Sequence, residues 1–248
     1  MNNMRWQTVL YTVVGLIAGA LVGLNQIRLM PADQLNVMLA QVGTPLALVA
    51  IAGAQSAVLV LVSSVLGLRM ASTIGFNTAI ALDTAGLRMA VVMAVVLGCV
   101  IVGADVWVFA PYLAAPTGTE FHWLGLVSSV LYGGIVEEIL LRLFVMTLIV
   151  WVMRKIIGAF GIDTLPAWVF WWAIGLSSLL FAAGHLPVTF TLLCPVEGDC
   201  TPLIIRALLL NGIGGIGFGY LYWRHGLTSA MVSHMVTHVV MQGLVAII

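Results

Sequence analysis

The chain has 248 residues, 62% of them hydrophobic and 7% charged, with a formal net charge of zero and a mean hydropathy of +1.16. Soluble domains carry about 25% charged residues, so the composition excludes a soluble globular protein and indicates an integral membrane one. A neutral chain without a basic block offers no surface for nucleic acid.

A window of about 19 residues predicts an all-α, polytopic transmembrane bundle in one domain spanning residues 1–248. Seven spans, within a range of six to eight, fall near 8–27, 44–68, 89–112, 123–153, 167–193, 202–223 and 227–247. Each is long enough to cross about 30 Å of hydrocarbon. Arg5 precedes the first apolar stretch as in a signal peptide, but the stretch is longer than a usual h-region, so a retained helix is expected. The segment RMASTIGFNTAIALDTAGLR between the second and third spans is expected to form an interfacial helix. In the third span Cys99 reads as a small packing residue, and Asp105 as an acid snorkelling or pairing near the surface.

The fourth span contains GGIVEEILLRLF, with Gly133 and Gly134 marking a break. An ionisable group at mid-membrane costs roughly 2.5–3.5 kcal/mol on insertion scales, which makes such residues functional candidates. On a helix Glu138 and Arg142 are four apart and pair, whereas Glu137 is turned about 140° from the arginine. Glu137 is thus left without a local partner, and a lone buried carboxylate suits a general base or acid. A structural cluster of all three charges is the alternative.

His185 closes the fifth run in FAAGHLP. In the sixth span Gly212, Gly215 and Gly219 are expected to admit a close neighbour, and Arg206 to snorkel from the span end. In the seventh, MVSHMVTHVV sets His234 and His238 four apart on one helix face, a spacing that lets two imidazoles share a metal ion. A lone membrane histidine is most often structural. Three with Glu137 supply the ligand set of a catalytic divalent metal, zinc by donor type: Glu137, His185, His234 and His238. His122 and His225 lie at span ends and read as interfacial.

At about 1.5 Å per residue, Glu137 lies about 21 Å below the outer start of its span, and His234 and His238 about 10 and 17 Å above the inner start of theirs. These place the three near the midplane or in the cytoplasmic half. His185, about 25 Å above its own inner start, fits less well, a gap that tilt, a late span start at Trp168, Trp171 and Trp172, or a kink before Pro187 would close. The cations Arg5, Arg69, Arg88, Arg154, Lys155 and Arg224 put the N-terminus in the cytoplasm and the C-terminus outside. The loop CPVEGDC then lies outside, where a Cys194–Cys200 disulfide can persist, two unpaired thiols being the alternative.

EEILLR, FAAGH and the closing GFGYLYWRHGLTSAMVSHMVTH resemble, in order, the EExxxR, FxxxH and HxxxN/D regions of the CPBP group. These are the CAAX-prenyl-protease and bacteriocin-processing membrane enzymes, also called the ABI family. The resemblance covers roughly residues 123–248, the catalytic core; the first half shares only its hydrophobicity. It implies an intramembrane endopeptidase acting on a membrane-anchored or prenylated peptide in the lipid bilayer. Glu137 and His185 would activate water, His234 and His238 bind or polarise the oxyanion, and Glu138 and Arg142 support them; a metal and a glutamate-only mechanism both remain open. The chain departs from the pattern at Leu141, Leu143 and His238, the last replacing Asn or Asp with a good zinc ligand. Two rivals remain: a proton-coupled transporter using the Glu/His set as a relay, and an inactive immunity or scaffold protein.

Overall fold

The computed structural model describes residues 2–81, 83–113, 122–194 and 198–247, and among these the chain is all-α with eight helices. They are α1 (Asn2–Leu29), α2 (Ala32–Val42), α3 (Pro45–Ile74), α4 (Thr84–Phe109), α5 (123–159), α6 (Ala167–Leu193), α7 (Thr201–His225) and α8 (Leu227–Val245). Five of them, α1, α3, α4, α6 and α7, are long and apolar enough to cross a membrane. Of the three outside that group, α5 and α8 carry Glu137, Glu138, Arg142, His234 and His238. Val92, Trp107, Trp172 and Leu179 are exposed on outward faces, as a lipid-seated bundle requires.

Among the described residues the expected interfacial helix does not form. Residues 69–74 extend α3, which Gly75 ends in the left-handed region at φ 82°. The Asp83 carboxylate then caps α4 by accepting the Gly86 N–H at 2.5 Å. A left-handed glycine and an acidic N-cap so close together cut the segment in two. Conversely, α2 was not anticipated; it follows Pro31, ends at Gly43 and buries none of its residues.

α1 packs on α3 along Gly15, Gly19 and Gly23. A Cβ at Gly19 would stand 2.5 Å from Ser56 Cβ and 2.6 Å from the Ala52 carbonyl. Of the three glycines expected to admit a neighbour on α7, Gly215 and Gly219 do so, against Ser178 and Ile174 of α6. Gly212 has nothing within 4 Å and plays no such part. Cys99 is exposed rather than packed; on α4 it is its neighbour Gly98 that meets Val240 of α8, about 100° away around the helix.

Four hydrogen bonds tie one end of the bundle together. Gln7 donates to Thr78 O at 2.8 Å, Arg154 to Thr73 O at 2.7 Å, Leu227 N to Asn77 O at 3.0 Å and Thr228 to Ala79 O at 2.8 Å. The start of α1, the α3–α4 connection, the end of α5 and the α7–α8 turn therefore share one end. Because successive long helices run back and forth, α2 and the α6–α7 connection lie at the other. There Cys194 and Cys200 form a disulfide with a Cα–Cα distance of 5.3 Å. Beside it the exposed Asp199 carboxyl is held below its usual range by hydrogen bonds from the Thr201 hydroxyl and N–H.

Candidate active site

The site is built on α5, α6 and α8. The glycine pair does not break α5, which continues through π-helical turns at Tyr132–Glu137 and Ile139–Met146. Such wide turns frequently mark functional sites. The glycines serve instead as a contact face for α8: a Cβ at Gly134 would collide with Met235, and one at Gly133 would stand 2.5 Å from His238 Nε2 and 3.1 Å from His234 Nε2.

Glu138 and Arg142 are completely buried and pair at 3.2 Å, as their spacing predicts. Glu138 Oε1 also accepts His234 Nδ1–H at 2.8 Å, and Arg142 donates to the Gly215 carbonyl at 3.1 Å. The guanidinium lies 4.7 Å from the Phe181 ring centroid and 5.5 Å from that of Phe218, so aromatic faces supply some of the stabilisation that water would. Phe218 also stacks on His234 at 4.3 Å.

Glu137 points elsewhere and keeps about a fifth of its side chain exposed. Its two oxygens face His185 Nε2 at 4.0 Å and His234 Nε2 at 3.9 Å. His185 Nδ1–H donates to the Phe181 carbonyl at 2.9 Å. Since a carbonyl and an ionised carboxylate only accept, the ring protons of neutral His185 and His234 sit on Nδ1. Both Nε2 lone pairs are then aimed at Glu137. Three acceptors face one gap too wide for direct hydrogen bonds, a place for a water molecule or a cation.

His185 thus joins Glu137 and His234 despite the depth gap. His238 stacks on His234 at 5.0 Å and lines a cavity of about 350 Å³ with Glu137 and His185, without an ion contact to Glu137. His122 is exposed, and its Nδ1 accepts the Leu124 N–H at the start of α5, away from the site. Asp105 and Arg206 form a bidentate pair at 2.6 and 2.5 Å.

A family model described as type II CAAX prenyl endopeptidase Rce1-like matches residues 119–240. Those residues are a domain of that family. It is a protease family, and in this CAAX-endopeptidase domain the match spans α5, α6, α7 and most of α8, leaving α1 to α4 outside. No curated protein and no solved structure gives a match.

Proteases of the CAAX-endopeptidase family are proposed to be metal-dependent. Here the donor chemistry fits a divalent ion: one carboxylate faces two imidazoles whose other nitrogens are held by a carbonyl and a carboxylate, as is usual for metal-binding histidines. The spacing is looser than the roughly 3.4 Å between ligand atoms of a tetrahedral zinc shell. Among the described residues no three metal-ligating side chains converge into a coordination sphere.

Sequence reasoning missed three supports of this domain's site. Phe218, the Gly215 carbonyl and the Gly133–Gly134 contact face act through neighbours distant in the chain. Phe181 was visible only as a motif position, without its place beside Arg142.

Proposed function

We propose that this protein is an intramembrane endopeptidase that hydrolyses a peptide bond of a membrane-associated substrate with Glu137 as general base. The whole chain would form one membrane domain, with all seven long helices crossing the bilayer. The observation carrying this reading is the Glu137 carboxylate set between two Nε2 atoms at 3.9 and 4.0 Å.

Glu137 would take a proton from water as its oxygen attacks the scissile carbonyl carbon. The same proton would then pass to the leaving amine as the C–N bond breaks. His185, its Nδ1–H fixed on Phe181 O, would orient that water through Nε2. His238 would offer an N–H to the developing oxyanion. Glu138, held by Arg142, would keep His234 in its tautomer and orientation. A divalent ion, zinc by donor type, would be held by the Nε2 atoms of His185 and His234, would take over the placing of the water from the direct His185 bond and would lower its pKa to about 7, leaving Glu137 as the base. The family implies a CAAX-type substrate, a membrane-anchored or prenylated peptide.

Glu137→Gln tests the reading. Loss of a general base typically costs about 10²–10⁴-fold in rate, so membrane peptides present in cells with wild-type protein should remain uncut with the variant. Equal processing by both would refute the mechanism. Elemental analysis of the purified protein and of His185→Ala reads the metal separately, a stoichiometric ion lost in the variant being the expected result.

A further inference from the structure

Resting on the peptidase reading, we infer that the site opens away from the cytoplasm and takes an uncharged, apolar extended segment from the extracytoplasmic face. Two independent features fix the ends of the bundle. Six of the nine Lys and Arg residues (Arg5, Arg69, Arg88, Arg154, Lys155 and Arg224) belong to the end joined by the Gln7, Arg154, Leu227 and Thr228 hydrogen bonds. By the positive-inside rule that end is cytoplasmic. The Cys194–Cys200 disulfide is at the opposite end, and disulfides persist in oxidising compartments rather than in the cytosol.

The cavities that reach the site open at the disulfide end. One of about 350 Å³ contains Glu137, His185 and His238; it shares Gln26, Gly184, Val188 and Leu192 with a second of about 660 Å³ whose far wall is α2. Together they form one trough running from α2 to Glu137 between α1 and the last turns of α6. A third, of about 230 Å³, reaches the three histidines from Leu193 and Arg206 beside the same disulfide. At the cationic end the cavity around Arg5 and Arg69 contains none of the site residues.

The walls select the occupant. Ionisable groups lie at the two ends of the trough, Asp33 at the mouth and Tyr132, Glu137, His185 and His238 toward the bottom. Between them stand Val188, Leu192 and the amides of Gln26 and Gln34. A charge on a substrate would be unpaired there and desolvated at a cost, whereas amides can bond the backbone of an extended chain. Gly184, next to His185, is the floor. A Cβ there would meet nothing within 4 Å, so packing does not require the glycine; its bare backbone leaves room for the substrate chain.

The test uses the full chain in intact cells, in a Cys99→Ala background. A membrane-impermeant maleimide should label Gln34→Cys before permeabilisation and Ser72→Cys only after it. The reverse pattern overturns the inference. An internally quenched apolar decapeptide added outside should be cleaved, with KM raised at least tenfold by Gly184→Leu. Gly175→Leu, an equally unpacked glycine on α6 outside the trough, should leave KM unchanged. An unchanged KM in Gly184→Leu, or equal cleavage of a decapeptide with lysine at its centre, sinks the trough. Labelling does not depend on catalysis, so undiminished cleavage by Glu137→Gln would overturn the peptidase mechanism while leaving the orientation standing.

Discussion

Two arginine–carboxylate pairs among the described residues are built in opposite ways. Asp105 and Arg206 meet through two charge-assisted bonds at 2.6 and 2.5 Å, each side chain about a fifth exposed. Glu138 and Arg142 are wholly buried and meet at a single 3.2 Å contact. Among the described residues Glu138 Oε2 and Arg142 Nε and Nη1 have no hydrogen-bond partner. The better-made pair thus joins α4 to α7 away from Glu137, and the under-bonded one lies beneath it. Desolvating an ion costs several kcal/mol, which one 3.2 Å contact repays poorly. What Glu138 and Arg142 obtain in exchange is position: the same Oε1 that meets Arg142 holds His234 Nδ1, and Arg142 reaches the backbone of α7.

Removing one partner of the buried pair should therefore have the largest effect on the fold. Arg142→Met leaves Glu138 uncompensated, and breaking such a pair typically costs about 3–5 kcal/mol. Denaturant unfolding in detergent should show a loss of that size. The double variant Glu138→Leu with Arg142→Met should regain most of the stability, because well-packed apolar replacements of buried pairs are often neutral or stabilising. Cleavage should stay lost, since His234 no longer has its Nδ1 acceptor. Full cleavage by a stable double variant would break the comparison, leaving the buried pair with no role in placing His234.

This pairing shows how much of the molecule was legible in the sequence. The Glu138–Arg142 contact follows from four-residue spacing, and the span limits follow from hydropathy to within a few residues, apart from the starts of α1 and α4 and the ends of α3 and α5. Such local, periodic signals survive without tertiary knowledge. Asp105 with Arg206, 101 residues apart, could be read only as two separate edge residues. Gly133 and Gly134 looked like a break because glycine weakens a helix, but in lipid a small residue as often marks a close helix contact.

A medium effect is expected in the first half, where packing is carried by glycines rather than by charges. Gly19→Leu forces a side chain onto Ser56 and the Ala52 carbonyl, and overpacking of this kind typically costs about 1–3 kcal/mol. Cleavage per folded molecule should be unchanged, since Glu137 and the three histidines belong to α5, α6 and α8. A loss of turnover in the folded fraction would instead tie the α1–α3 contact to the site, through the α1 wall of the trough.

The smallest effect should come from Asp105→Asn, although it removes a charge from the better-formed pair. Arg206 sits in the second turn of α7, near enough to the helix end for its stem to carry the guanidinium to the interface. Partly exposed pairs contribute about 0–1 kcal/mol, so unfolding should shift by no more than that. Arg206 also lines the cavity that reaches His185, His234 and His238, so the variant leaves an unneutralised cation facing the histidines. Stability near wild type with altered turnover would show that the pair shields the site rather than holding the fold. A stability loss as large as that of Arg142→Met would mean that exposure of a fifth is too little for Arg206 to escape, and that geometry rather than burial divides the two pairs.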